Sequence, residues 1–240
     1  MKAYLLERSA RMGRALSEKQ AEQICAYHAI LCEVNRNMNL TRVPDTMAEA
    51  ADRNYLDSLA PWILTGWLDN AESLLDVGAG AGFPGIPLSI ALPDMRVTLL
   101  DSLRKRVDFL NDVIKELGLN AVAIHFRAEE AAKRPELREQ FSVVTARAVA
   151  ALPTLCELTL PFAKVGGALI AYHGPKADEE LPMAEKAIRT LGGGASEIRR
   201  APLPERDWDH RLVRIAKEQS TPMAYPRKPG EPGRKPIGLR

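Results

Sequence analysis

A chain of 240 residues, 46% of them hydrophobic and with a net charge of only +2, can fill the core of one large α/β domain with extensions. Its three cysteines, Cys25, Cys32 and Cys156, form neither a C-x-x-C pair nor a metal-ligand quartet, so no disulfide framework and no bound metal are expected, and a reducing cytoplasm is the expected compartment. The longest uncharged run, 77–93, is broken by four glycines and three prolines and cannot be a membrane helix, while the N-terminal stretch has no leader-like pattern; a soluble, unexported protein without a membrane partner is expected.

Ser17 and Gln20 stand at capping-box spacing, and Ile24, Tyr27, Leu31 and Val34 fall on one stripe, which predicts a helix over 17–35. A second helix is predicted over 47–63, with Tyr55, Leu59 and Ile63 on one face. Strand-like runs follow at 73–77, 96–101, 122–126, 141–146 and 168–172, interleaved with helical segments at 85–92, 103–117, 152–163 and 179–191. Weaker strands close the series near 195–199 and 211–215. Strands alternating with helices pair in parallel through right-handed crossovers, so the body is expected to be a doubly wound α/β sheet covered on both faces. The chain divides into a helical extension at 1–70, a sheet domain at 71–217 and a basic, proline-rich tail at 218–240. That tail reads either as an extended strap that touches polyanions or as a terminus that stays in water.

The segment "DVGAGAGFPGIP", starting at Asp76, follows the first strand, where ligands of such sheets bind. Gly78, Gly80 and Gly82 spell G-x-G-x-G, while Gly80, Gly82 and Gly85 also satisfy the G-x-G-x-x-G of dinucleotide sites. A dinucleotide would place its pyrophosphate at the N-terminus of the following helix. Asp76 suits a cationic ligand better, and S-adenosylmethionine carries an ammonium, a sulfonium and a ribose but no phosphate. Asp101 ends the second strand where an acid reaches ribose hydroxyls and serves either cofactor. After the third strand, "RAEE" would bring Ala128 and Glu129 beside an adenine. The ring of Phe83, set in the glycine loop, is expected either to pack on the cofactor or to anchor the loop in the core.

Read together, "NLTRV", "YLDSL", "LLDVGAGAGFPGIPLSI", "LLDSLRKRVDFL", "RAEE", "ARAVA" and "AYPRKPGEPGRKP" resemble the bacterial RsmG family, also called glucose-inhibited division protein B. The resemblance runs from about Asn39 to the C-terminus. It implies a class I S-adenosylmethionine-dependent methyltransferase fold, Rossmann-like and doubly wound, with a mostly parallel seven-stranded sheet and a helical N-terminal extension. The implied reaction methylates N7 of a guanine in 16S ribosomal RNA of the small subunit, and the implied cofactor contacts fall on Gly78, Phe83, Ala128, Glu129 and Arg147. His173-Gly174 stands where the family usually has Lys-Gly; Lys176 lies near enough to substitute.

A guanine N7 has an in-plane lone pair and needs no deprotonation, so no catalytic base is expected, and Arg147 is read as a clamp on cofactor or RNA. Arg104, Lys105 and Arg106 crowd the first turn of a helix, where the macrodipole disfavours cations; by themselves they read as a solvated helix start or as phosphate contacts, and the resemblance favours phosphate contacts, with Lys176, Arg227, Lys228, Arg234 and Lys235 beside them. Asn39, Thr41, Asp57 and Ser58 are explained equally well by capping and helix–helix bonds, and His28, His125 and His210 have no partner at metal-ligand spacing. A monomer is expected. Two other readings stay open: an NAD-dependent oxidoreductase using the same glycines, and a noncatalytic RNA-binding module.

Overall fold

The computed structural model describes residues 1–239. Seven strands form one sheet: β1 (Ser73–Val77), β2 (Arg96–Asp101), β3 (Ala121–His125), β4 (Phe141–Arg147), β5 (Ala163–His173), β6 (Gly193–Arg200) and β7 (Arg211–Lys217). Their order is β3-β2-β1-β4-β5-β7-β6. The first five pair in parallel, as the alternation with helices predicts. β7 enters between β5 and β6 and pairs antiparallel with both. A loop rather than a helix joins β6 to β7, so this return needs no crossover.

β1 is buried along its whole length, which explains the uninterrupted "SLLDV" run of a central parallel strand. Consecutive residues point to opposite faces. Leu74, Leu99, Val143 and Ile170 therefore enter one core, and Leu75, Leu100, Val144 and Leu169 the other.

The first core is closed by α5 (Gly85–Ala91), α6 (Arg104–Leu117) and the N-terminal helices. Of these, α2 (Glu18–Met38) begins at a reciprocal capping box: Gln20 N–H donates to Ser17 Oγ at 3.3 Å, and Ser17 N–H to Gln20 Oε1 at 2.8 Å. Ile24, Tyr27 and Leu31 on its inner stripe are fully buried. A further helix, α1 (Lys2–Met12), lies outside the sequence reading; Leu5 and Met12 face inward, and buried Arg8 donates to the Pro204 carbonyl at 2.6 Å. The helix predicted over 47–63 is present as α3 (Met47–Ala50) and α4 (Asp57–Leu64), joined by a π-helical segment at Ala51–Leu56.

The second core is closed by α7 (Ala128–Ala131), α8 (Leu152–Thr159) and α9 (Ala177–Thr190), and by the tail, which ends in the short α10 (Glu231–Arg234). Among the described residues no helix is long and apolar enough to cross a membrane.

Candidate functional site at the carboxyl ends of the strands

Strand order reverses at β1, between β2 and β4, and the glycine loop leaves β1 there. Gly78 has φ 73° and Gly82 φ 103°, both left-handed. A Cβ on Gly78 would lie 2.8 Å from Val149 Cγ2; one on Gly82 would lie 2.7 Å from Ile86 Cγ1 and 2.8 Å from the Tyr27 hydroxyl. Gly78 thus admits the segment after β4, whereas Gly82 lets the loop pass beneath α2 and α5.

Asp101 ties this loop to α6: Gly80 N–H donates to its Oδ2 and Leu103 N–H to its Oδ1, each at 2.9 Å. Oδ2 also takes Arg106 Nη1 at 3.5 Å; a carboxylate oxygen can accept two bonds, so acceptor capacity remains on Oδ1. Asp101, Gly78, Ala128 and Glu129 meet in the wall of a cavity of about 220 Å³. Four expected cofactor positions, drawn from three separate strand ends, come together there.

Asp76 is different. It is 1% exposed; its Oδ2 accepts Gly85 N–H at 3.0 Å and its Oδ1 accepts the Thr145 hydroxyl at 3.0 Å. Burial pushes its carboxyl up to about 6 against these two bonds. The expectation that it faces a cationic ligand is corrected: it holds the loop from inside. It also partners the first turn of α5, where a dinucleotide would place its pyrophosphate, and Ile86 N–H is bonded to the Gly82 carbonyl at 2.8 Å. That helix end has an internal anion already, which removes the main physical support for the oxidoreductase reading. Of the two readings of the Phe83 ring, the geometry supports the anchor. The ring lies 5.5 Å from Tyr27 and 5.6 Å from Tyr55 between centroids, is 6% exposed, and anchors the loop in the core.

Val149 also stands in the wall of a second cavity, about 550 Å³, over the ends of β4 and β5. A third, about 340 Å³, shares Asp57, Arg147, Ala148 and His210 with it. Arg147 Nη1 donates to the Arg53 carbonyl and to Asp57 Oδ2, each at 3.1 Å, and its guanidinium lies 5.1 Å from the Phe83 ring centre. The π-helical segment accounts for the first bond. There Asp57 N–H reaches the carbonyl of Asp52 rather than that of Arg53, and the arginine takes up the displaced carbonyl. Asp57 Oδ1 lies 2.7 Å from His210 Nδ1, and this hydrogen bond raises the imidazole pKa above its ordinary value. Ala148 adopts φ 56°, a left-handed conformation in a residue with a side chain, where β4 opens onto both cavities. Asn54 is 6% exposed, lines the third cavity, and its Nδ2 is buried without a partner.

Asp57, Asn54 and His210 are site residues that sequence reading left aside. The "YLDSL" stretch held a signal for Asp57, but a lone histidine before a strand gave none. Asn39 and Thr41 are structural: Asn39 ends α2 in a left-handed conformation, and Thr41 N–H donates to Asn35 Oδ1 at 3.0 Å.

Of the expected phosphate contacts, Arg104, Lys105, Lys176, Lys228, Arg234 and Lys235 are exposed. Arg104 and Lys105 start α6 and Lys176 caps α9, so these three stand on the same rim as the cavities. The other two have acidic partners. Arg106 leans onto Asp101 at 3.5 Å. Arg227 clasps Glu157, which is fully buried, through Nε at 2.9 Å and Nη2 at 2.5 Å. Such a carboxylate needs its counter-charge, so Arg227 is no free phosphate contact. His173 Nε2 lies 3.2 Å from Glu180 Oε2, so an imidazole held on a carboxylate fills the position where a lysine is usual.

The strand order, with an antiparallel β7 between β5 and β6 and a cavity at the reversal point, is that of class I methyltransferases. Solved structures agree on the fold: an O-methyltransferase from Bacillus cereus in complex with SAH superposes with TM-score 0.56 at 16% identity, covering 80% of this chain and 91% of that one. A precorrin-6y C5,15-methyltransferase from Geobacter metallireducens gives TM-score 0.51 at 14% identity, covering 76% and 96%.

Residues 20–207 match the family model described as rRNA small subunit methyltransferase G. The ribosomal RNA small subunit methyltransferase G of Lactobacillus johnsonii is 44% identical over 230 residues, 95% of this chain and 96% of the relative. That of Alkaliphilus metalliredigens is 44% identical over 237 residues, 98% of each. The chain belongs to this family.

Proposed function

We propose that this chain transfers the methyl group of S-adenosylmethionine to N7 of a guanine in 16S ribosomal RNA, acting as a cytoplasmic monomer on the RNA or on the small ribosomal subunit. The carrying observation is the meeting of Gly78, Asp101, Ala128 and Glu129 in one cavity that shares Val149 with a larger one at the strand reversal. Family membership supports the RNA substrate, and the resemblance read in the sequence supports N7.

The residues fit the cofactor chemically. Asp101 has acceptor capacity that would serve ribose hydroxyls, Ala128 and Glu129 would flank the adenine, and bare Gly78 would let main chain approach closely. When bound, S-adenosylmethionine supplies an electrophilic methyl on a sulfonium. The guanine nitrogen carries a lone pair already, so in a transfer that breaks the S–CH3 bond and releases S-adenosylhomocysteine no side chain would have to take a proton. The chain's work is positioning: holding the reacting atoms in line at about 3–3.5 Å lowers the barrier without acid or base. Methylation leaves positive charge on the purine, and Asp57 is the group of suitable sign in the shared wall. Arg147 acts as a clamp.

Thermal shift and labelled transfer test the reading. Stabilisation by S-adenosylhomocysteine but not by NAD, with label on one guanine N7 of 16S RNA, is the expected result. Stabilisation by NAD alone, or no label on either naked 16S RNA or small subunits, overturns it.

A further inference from the structure

Sequence alone makes the tail an RNA strap or an idle terminus, but its main chain bonds a residue of the cofactor cavity's wall. β7 ends at Lys217, a residue 1% exposed whose ammonium donates to the carbonyls of Leu160 at 2.8 Å and Leu191 at 3.2 Å. The next residues are tied at several points. Thr221 N–H donates to Glu139 Oε1 at 2.6 Å, and the Arg138 guanidinium donates to the carbonyls of Thr221 at 2.6 Å and Tyr225 at 2.9 Å. Arg227 then clasps buried Glu157 on α8, next to Leu158 of the cavity wall. Three residues on, Gly230 N–H donates to Glu129 Oε1 at 2.9 Å. Thr154 on α8 donates to the Pro232 carbonyl at 3.2 Å, and Tyr225 and Ile237 pack against the same core as Ala128.

We infer that the tail braces the wall of the cofactor site from behind, Gly230 positioning Glu129 through its N–H, so that the tail acts first on cofactor affinity and only second on RNA. The inference rests on the cofactor reading above. Glu129 is 7% exposed and has one oxygen fixed from outside the sheet domain. Gly230 has φ 80°, which aims its N–H, and a Cβ there would meet nothing within 4 Å. A Cβ at this position therefore meets no clash, and the cost of adding one falls on main-chain conformation.

The full-length protein carries the test. Gly230→Val, disfavoured at positive φ, should raise the calorimetric Kd for S-adenosylhomocysteine about tenfold, while Gly230→Asn, which tolerates that conformation and keeps the N–H, should stay within about threefold of the parent. Removal of 229–240, which spares the Arg227–Glu157 clasp, should match Gly230→Val. In a Glu129→Ala background neither change should add to the loss, because the path through Glu129 is gone. Unchanged S-adenosylhomocysteine affinity with weakened binding of 16S RNA would overturn the inference in favour of an RNA strap. A loss that persists undiminished beside Glu129→Ala would overturn the positioning role. Failure of the parent protein to bind S-adenosylhomocysteine at all would instead strike the cofactor reading.

Discussion

The two sides of the site are assembled in opposite ways. On the β1–β2 side the loop, its internal carboxylate and the acid that ties it down all lie within 76–101, held by main-chain bonds such as Gly80 to Asp101 and Gly85 to Asp76. On the β4–β5 side the contacts join distant parts of the chain: Arg147 to Asp57 across 90 positions and His210 to Asp57 across 153. The first side is rigid because packing leaves its backbone one conformation. The second is held by charged side chains that can change partners, which suits a wall that must admit a large nucleic acid.

If so, substitutions on the first side should act on stability and on the second side mainly on binding. The largest effect is expected at Gly82. Gly82→Ala combines a left-handed φ with contacts well under 3.0 Å to Ile86 and Tyr27, and should cost about 3–5 kcal/mol in urea unfolding. Gly80→Ala, with φ 59° but nothing nearer than the Gly78 carbonyl at 3.8 Å, should cost only about 1 kcal/mol. Equal losses would mean the loop is not packed as described.

Asp76 gives the next effect and a sign. Its folded pKa, about 6, lies above the ordinary 3.8, so the folded state binds the proton more tightly than the unfolded chain does. The stability this confers is present at low pH and is lost as pH rises through the window from about 4 to 6. Asp76→Asn does not titrate, so its stability relative to the parent should improve by roughly 2–3 kcal/mol between pH 4 and pH 7. A pH-independent difference would place the carboxylate in water. On the second side, Arg147→Ala should raise the Kd for 16S RNA or cofactor at least about tenfold, while single-turnover methyl transfer at saturation changes less than about threefold. A slowed chemical step with intact binding would make Arg147 a catalytic group.

The same contrast explains what could be read in advance. β1, β2 and β4 are apolar runs bounded by turn residues, and the glycine loop is contiguous, so both fold and cofactor side follow from local pattern. α1 does not announce itself, because Glu7, Arg8 and Arg11 interrupt its apolar stripe and Arg8 is satisfied by a carbonyl 196 positions away. Asp76 and Phe83 stand in the motif expected to hold the ligand, but burial turns both inward. The tail's basic residues suggested RNA because its partners, Glu157, Glu129 and Arg138, belong to segments no sequence window contains. Charge counts treat Lys217 and Arg227 as free; tertiary structure pairs them.

The smallest effect is expected at His210, a titrating group of the second wall whose shift has a clear direction. Its hydrogen bond to Asp57 raises the folded pKa above 6.5 although partial burial opposes this. The protonated imidazole therefore contributes stability that is fully present below about pH 6.5 and disappears as pH rises through the folded value. The ring is only half buried, so solvent screening keeps the contribution under about 1 kcal/mol. His210→Gln can still donate to Asp57 but cannot titrate, so its unfolding free energy should lose this small decline above pH 6.5 and otherwise follow the parent. A parent curve with no such decline, or a variant that keeps it, would show that Asp57 is held by Arg147 alone and that the second wall has one charged tie where the geometry gives two.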